Sequence, residues 1–486
     1  MRKIFLFIAA LFVFSTGCAS DVQRPKLVIG IIVDQMRWDY LYYYYDKFGE
    51  GGFKRMMNEG FSYDNMNIQY TPTVTACGHS SVYTGSVPSI TGIAGNNFYV
   101  NDKPVYCTQD DSVASIGSNG DTGKMSPHYL KVTTLCDQLR TATDFKSRVV
   151  SVSIKDRGAI LPGGHTANAA YWYDVKNGKF ITSSYYMKKL PTWVELFNKE
   201  KCINPKEDIR TSPKGNTLTV DMAIAVLRNE KLGQGETTDI LAISFSSTDY
   251  VGHKYGTRGR ITEETYRVLD RDLARLFQEL DATVGRGNYL AFLTADHGAA
   301  HNADFMTEHH IPAGRLNYSA LSKGINDICK IKAIKDIMDY RIYLDHNALK
   351  AAKMNEEQVK TTIINYLQAQ PGIDYAVDFK NINVGFIPPA IKNRIIMGYY
   401  PKRSGDIQII PSPGYYESQD GRKAPGTTHG VWNPYDTHIP FLLYGWNVKH
   451  GSSSEVTTIS DIAPTICDML HIQQPNGCIG RPLTSH

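Results

Sequence analysis

At 486 residues, with 42% hydrophobic and 21% charged positions and a formal charge of only +4, the chain has the makeup of an ordinary folded protein. The charge balance excludes the basic excess of a nucleic-acid binder and leaves a small molecule as the expected partner. The length suffices for one large core with sizeable insertions or for two domains, and no internal repeat or low-complexity block is present.

Met1, Arg2 and Lys3 precede an unbroken apolar run of eleven residues, Ile4–Phe14, and small residues come next around Gly17 and Cys18. This is the pattern of a signal peptide over residues 1–20. The run falls short of the roughly 20 residues that span a bilayer, and no later stretch qualifies as a transmembrane helix. Cys18 stands where a bacterial lipoprotein carries its acylated cysteine, although Ser15 replaces the usual aliphatic residue. Ordinary cleavage near Gly17 or Ser20 is the alternative. Both readings export the chain, as a periplasmic protein or as an outer-membrane lipoprotein with a lipid anchor at Cys18. In an oxidising compartment Cys77, Cys107, Cys136, Cys202, Cys329, Cys467 and Cys478 are available to pair, and Cys467 with Cys478 is the first pairing expected.

From residue 21 to 486 the chain reads as a single catalytic domain with insertions. Lys26–Val33, Arg148–Ile154, Asp239–Phe245 and Asn288–Thr294 read as buried strands, because their continuous Val/Ile/Leu runs suit a parallel sheet covered on both faces. The run Tyr40–Tyr45 predicts a helix packing its aromatic face. A small insertion is expected at about 161–215. Tyr266, Leu269, Leu273, Leu276, Phe277 and Leu280 recur at helical spacing after Thr262, read as an N-cap. A larger insertion at about 300–425 contains a helical pattern over Asn355–Gln368 and Pro/Gly/Tyr-rich stretches, and reads as a cap over the site. The alternation predicts an α/β fold, a central mostly parallel sheet sandwiched by helices.

The polar residues at the strand ends carry the chemistry. Asp34 ends the first strand, Lys155 and Arg157 come after the second, Asp249 lies just beyond the third, and Asp296 with His297 closes the fourth. In open α/β sheets, ligands bind outside the carboxyl ends of the strands. One such Asp would be an ordinary helix cap; all of them together are not. Carboxylate oxygen and imidazole nitrogen are ligands for Zn²⁺ and similar ions, and Mn²⁺ or Co²⁺ also suit mixed N/O sites. Asp249 and His253 are four apart and can chelate on a helical or tight turn, while His429 can contribute from far along the chain. Thr75 is a candidate nucleophile at a helix start, where backbone N–H groups favour phosphate and a metal can activate the hydroxyl. Thr71, Thr73 and Ser80 are chemically similar rivals.

The series Val33-Asp34-Gln35, Pro72-Thr-Val-Thr75 with Gly78-His79, Gly92-Ile-Ala-Gly-Asn96, Lys155-Asp-Arg157, Asp249-Tyr-Val-Gly-His253, Thr294-Ala-Asp-His-Gly298 and Thr428-His429-Gly430 resembles the alkaline phosphatase superfamily. More narrowly, it is similar to the Thr-nucleophile, phosphate-irrepressible bacterial enzymes known as PafA-type alkaline phosphatases. The resemblance implies two Zn²⁺ per chain, one on Asp249, His253 and His429, the other on Asp34, Asp296 and His297 with Thr75 as a further ligand. It selects Thr75 as nucleophile and assigns Asn96, Lys155 and Arg157 to the non-bridging oxygens of the phosphoryl group. A two-metal site of this kind stabilises both the attacking and the leaving oxygen of an in-line displacement.

The two cations bear on substrate class. Extended geometry would put positions 155 and 157 on the same side, and two cations favour a monoester dianion over a diester. A phosphate monoesterase is therefore expected. A phosphodiesterase or nucleotide pyrophosphatase on the same bimetal scaffold is the alternative, and a non-enzymatic lipoprotein is disfavoured because no ligand or nucleophile is missing. Cys77 lacks the Pro and Arg of a sulfatase motif. His79 is expected to orient the nucleophile loop. His165, His309, His310 and His438 have no assigned role.

Overall fold

A computed structural model describes residues 23–201, 203, 207–383 and 386–486. The expected signal peptide, Cys18 and Cys202 lie outside the described residues. The centre is a ten-stranded sheet. Its members include β1 (Leu27–Val33), β2 (Val149–Ser153), β3 (Ala169–Asp174), β4 (Lys179–Ser183), β5 (Asp239–Phe245) and β6 (Tyr289–Thr294). The four strands expected from sequence pair in parallel in the order β6–β1–β5–β2, with Leu27 opposite both Asp239 and Tyr289. Every residue of β1, β5 and β6 is buried, so both faces are covered; the unbroken apolar runs reflect that. β3 continues the sheet in parallel and β4 in antiparallel sense, so the chain after Gly163 returns to the main sheet. Beyond β6 the strand Phe441–Gly445 adds on antiparallel.

Four helices matter for the site: α1 (Thr75–Thr84), α2 (Asp156–Gly163), α3 (Ser247–Tyr255) and α4 (Arg260–Leu280). The periodic face of α4 is buried as predicted, but the helix starts at Arg260 with Gly259 at its N-cap. Thr262 lies inside the first turn, and its hydroxyl donates to the Gly256 carbonyl at 2.7 Å, which accounts for the displaced prediction. The tyrosine run forms one helical turn, Tyr40–Tyr43, and then a 3-10 turn, Tyr45–Lys47. Tyr40 and Tyr44 pack on Tyr266 with ring centroids 4.9 and 5.6 Å apart.

A second sheet lies in the larger insertion: β7 (Ile334–Met338), β8 (Arg341–Leu344), β9 (Ile373–Asp378) and β10 (Ile407–Pro411), in the order β7–β8–β10–β9. Helix α5 (Glu356–Gln368) belongs to the same unit, and the Asn355 side chain caps it by accepting from the Gln358 N–H. Ile325, Ile342, Ile363, Leu367, Ile407 and Ile409 give this unit its own apolar core. Met338 pairs with Arg341, so Asp339 and Tyr340 alone form the turn between β7 and β8.

The expected Cys467–Cys478 bridge is absent, since both are free thiols. Cys467 is buried in the helix Ile462–Met469, while Cys478 Sγ faces the Gly480 carbonyl at 3.8 Å. Among the described residues no helix is long and apolar enough to cross a membrane.

Candidate active site

The parallel strands deliver their polar residues to one rim. Asp34 lies after β1, Lys155 caps α2 after β2, Asp249 sits in α3 after β5, and Asp296 with His297 lies after β6. Lys155 and Arg157 sit at a helix start, so helical geometry rather than strand alternation sets their directions. Lys155 Nζ is the hub, 2.7 Å from Asp34 Oδ2, 2.6 Å from Asp249 Oδ2 and 3.3 Å from Thr75 Oγ1.

The rival hydroxyls have other work. Thr71 donates to the Gly430 carbonyl, Thr73 to Val431 and Ser80 to Cys77, all backbone acceptors. Thr75, the first residue of α1, keeps its oxygen free of any backbone acceptor among the described residues and turns it to Lys155. Gly78 lets α1 approach this closely, because a Cβ there would lie 2.2 Å from the Asp296 carbonyl oxygen. Asn96 Oδ1 accepts the Ala76 N–H at 3.0 Å, which leaves its amide N–H₂ to donate. Arg157 is held by the Tyr106 hydroxyl at 2.8 Å, and its buried Nε has no partner among the described residues.

Two Asp/His groups have the geometry of cation sites. His253 Nε2 and His429 Nε2 lie 3.1 and 3.5 Å from Asp249 Oδ1. His297 Nε2 lies 3.6 Å from Asp34 Oδ1 and 3.4 Å from Asp296 Oδ2. Ligands about 2.0 Å from one tetrahedral ion stand about 3.3 Å apart, so these separations fit. The tautomers agree: Nδ1 of His253, His297 and His429 faces the carbonyls of Thr427, Gly298 and Thr73, leaving each Nε2 lone pair toward the carboxylates. Asp34 Oδ1 and His297 Nε2 are buried without a hydrogen-bond partner among the described residues, which is what an ion would relieve.

His79 stands beside Asp34 and Asp296 but differs. Its Nδ1 points to the Thr75 carbonyl at 2.9 Å and to Asp296 Oδ2 at 3.1 Å, while Nε2 meets Ser244 Oγ at 2.7 Å. Both nitrogens are engaged, so the ring braces the nucleophile turn. His346 is engaged likewise by Glu356 at 3.0 Å and Asp406 at 3.3 Å, and hydrogen bonding to Asp406 pushes its pKa up to about 9; this is a charged bridge within the insertion.

Charge at the site is unbalanced. Burial and the neighbouring Asp296 push the Asp34 carboxyl well above the usual range, against the pull of Lys155. Burial also opposes ionisation of Asp249, but His253 and Lys155 outweigh it and hold that carboxyl well below its usual range. Burial alone would lower Lys155; Asp249 and Asp34 reverse this and keep it charged. Burial drives His297 down to about 3, whereas at His429 the bond to Asp249 overcomes burial and pushes it up to about 9.

Two contributors were given no role by sequence reasoning. Gln35, at a left-handed φ of 62°, donates its backbone N–H to Asp296 Oδ1 at 3.2 Å and its side-chain amide to Asp249 Oδ1 at 2.8 Å, touching both groups. Asp436 Oδ2 accepts the N–H groups of Gly430 and Val431 at 2.8 and 2.9 Å, fixing the loop after His429. Gln35→Ala is expected to weaken metal affinity by about 10- to 100-fold, as loss of outer partners does, and competition with a chromogenic chelator measures it.

The sequence profile of the family described as type I phosphodiesterase / nucleotide pyrophosphatase matches residues 28–432. The chain is 47% identical to alkaline phosphatase PhoV of Synechococcus elongatus, over 95% of this chain and 93% of that one. It is 45% identical to alkaline phosphatase PafA of Elizabethkingia meningoseptica, over 95% and 94%. The crystal structure of wild-type PafA superposes with a TM-score of 0.91 at 44% identity, covering 95% of this chain and 99% of that one. This chain belongs to the PafA-type alkaline phosphatases. It is thus a hydrolase with the alkaline phosphatase-like α/β fold, as the motif series implied. Membership of the alkaline phosphatases also implies a metal cofactor, for which the Asp/His groups above supply donors.

Proposed function

We propose that the protein hydrolyses small phosphate monoesters through a covalent phospho-threonine on Thr75. The observation that carries this reading is the free Thr75 hydroxyl at a helix N-terminus, ringed by Lys155 and by two Asp/His groups, one of which has unpartnered buried ligand atoms. Asp249, His253 and His429 would hold one ion, and Asp34, Asp296, His297 and Thr75 the other. The nitrogen-and-carboxylate donor set suits zinc. Bound there, the ions supply Lewis acidity that activates the Thr75 hydroxyl and offsets charge on the leaving oxygen.

The chain's own residues do the rest. Thr75 Oγ1 forms a bond to phosphorus as the bond to the leaving alkoxide breaks, and water later displaces Thr75 to release inorganic phosphate. Lys155, already 3.3 Å from Thr75 Oγ1, together with Arg157 and the Asn96 amide, binds the non-bridging oxygens. The first N–H groups of α1 favour the same anion. The leader pattern of residues 1–20 supports export to the periplasm or outer membrane, with Cys18 as the candidate lipid anchor.

Acid quenching during turnover, with peptide mass spectrometry of the quenched protein, should find the phosphoryl group on Thr75; a phosphoryl group on another residue would reject the mechanism. Chelation should abolish activity, and Zn²⁺ should restore it. The same treatment should lower the melting temperature, because saturation at a hundredfold excess over Kd is worth about 2.7 kcal/mol of stability. An unchanged melting temperature would argue against bound ions.

A further inference from the structure

The turn between β7 and β8 and the first residue of β8 reach three candidate catalytic segments with three consecutive residues, Asp339, Tyr340 and Arg341. Asp339 meets the Asn96 segment: its carboxylate packs so close that a Cβ on Gly95 would lie 2.3 Å from Oδ2, and the Asn96 backbone N–H favours its charged form. Tyr340 meets the His429 segment, its hydroxyl donating to the His429 carbonyl at 3.4 Å and accepting the Glu417 N–H at 3.0 Å. Arg341 is only 1% exposed and forks between segments. Its Nη1 donates to the Ala94 carbonyl at 2.6 Å, and its Nη2 to Thr71 at 3.2 Å and Gly398 at 2.7 Å.

The turn is strained in a way its local sequence does not favour. Asp339 and Tyr340 both take left-handed φ values, 49° and 61°. Two-residue turns of this hand prefer Asn-Gly or Asp-Gly, and a Tyr in the second place is an outlier. Such strain persists only where surrounding contacts over-determine it, and it clusters at functional sites. Here the contacts run to the loops that carry Asn96, His429 and, through Thr71, the nucleophile turn.

We propose that Asp339 and Arg341 are positioning residues for the reaction, holding the 94–96 loop so that the Asn96 amide faces the phosphoryl group above Thr75. The insertion then completes phosphoryl recognition as well as covering the site. A planar guanidinium suits this task, since one side chain ties Ala94, Thr71 and Gly398 in fixed directions. The inference rests on the proposed role of Asn96.

The test is a double-mutant cycle with Asn96→Ala, reading kcat and KM on a phosphate monoester together with melting temperature. Asp339→Asn keeps the shape of the side chain and Arg341→Lys keeps its charge, so both should stay folded. Each is expected to lower kcat/KM about tenfold in the parent, since small misplacements of binding groups are costly. In the Asn96→Ala background each should cost less than about twofold. Equal losses in both backgrounds, or no loss in the parent, would overturn the inference while Asn96→Ala itself remains impaired. A silent Asn96→Ala would sink the assignment of Asn96 and this inference with it.

Discussion

Thr75→Ala should lower kcat/KM for a phosphate monoester by about 10⁴-fold or more, equivalent to about 5.4 kcal/mol of lost transition-state stabilisation. On the proposed mechanism, removing the hydroxyl removes the oxygen that forms the covalent intermediate, and the remaining groups can only bind substrate and orient water. Thr75→Ser retains the oxygen and should recover most of the rate. Thr71→Ala and Thr73→Ala test the rivals. Their hydroxyls serve the Gly430 and Val431 carbonyls, so their loss should act on the His429 loop and the melting temperature and leave the phosphoryl group on Thr75. A Thr75→Ala protein that turns over at near-parental rate would reject covalent catalysis at this residue. One that is inactive but still melts as the parent, with unchanged metal content, would isolate the chemical step from the fold.

The part of this site that sequence displayed is the part that strands display. β1, β5 and β6 are buried along their whole length, so their apolar runs stand out, and a run's end marks where a charged residue meets the rim. Asp34, Lys155, Asp249 and Asp296 were visible for that reason. The pair Asp249 and His253 was visible because i and i+4 share a helix face, and α3 supplies the helix. Choosing Thr75 over Thr71, Thr73 and Ser80 needed the family resemblance, since the hydroxyls differ only in where neighbouring loops put their acceptors. Gln35, though part of the motif series, and Asp436 had no legible role; only the fold shows that one residue reaches both Asp/His groups, through its backbone N–H and its side-chain amide, and that the other fixes the loop after His429. Asp339 and Arg341 lie some way along the chain from Asn96, inside an insertion whose local pattern announces a helix but neither its small sheet nor its contacts. Thr262 misled for the opposite reason: a hydroxyl in the first turn resembles a cap unless the preceding glycine turn is known.

Substrate class rests on Lys155 and Arg157. The double variant Lys155→Ala plus Arg157→Ala should lower kcat/KM for a monoester about 10³-fold, near 4 kcal/mol, while a matched diester loses less than about tenfold. A monoester dianion presents one more charge and one more non-bridging oxygen than a diester, and these are what the two cations can engage. Lys155, 3% exposed, carries a charge that burial makes costly to leave unpaired, and its Nζ is paired with Asp34 and Asp249. Arg157 keeps a buried Nε without a partner among the described residues, and so has donor capacity left for a second oxygen. Equal losses on both substrates would mean that the cations stabilise the site itself, and the melting temperature of the variant would show it. A diester preference in the parent protein would overturn the monoesterase reading, leave the chemistry at Thr75 intact, and put phosphodiester hydrolysis in its place.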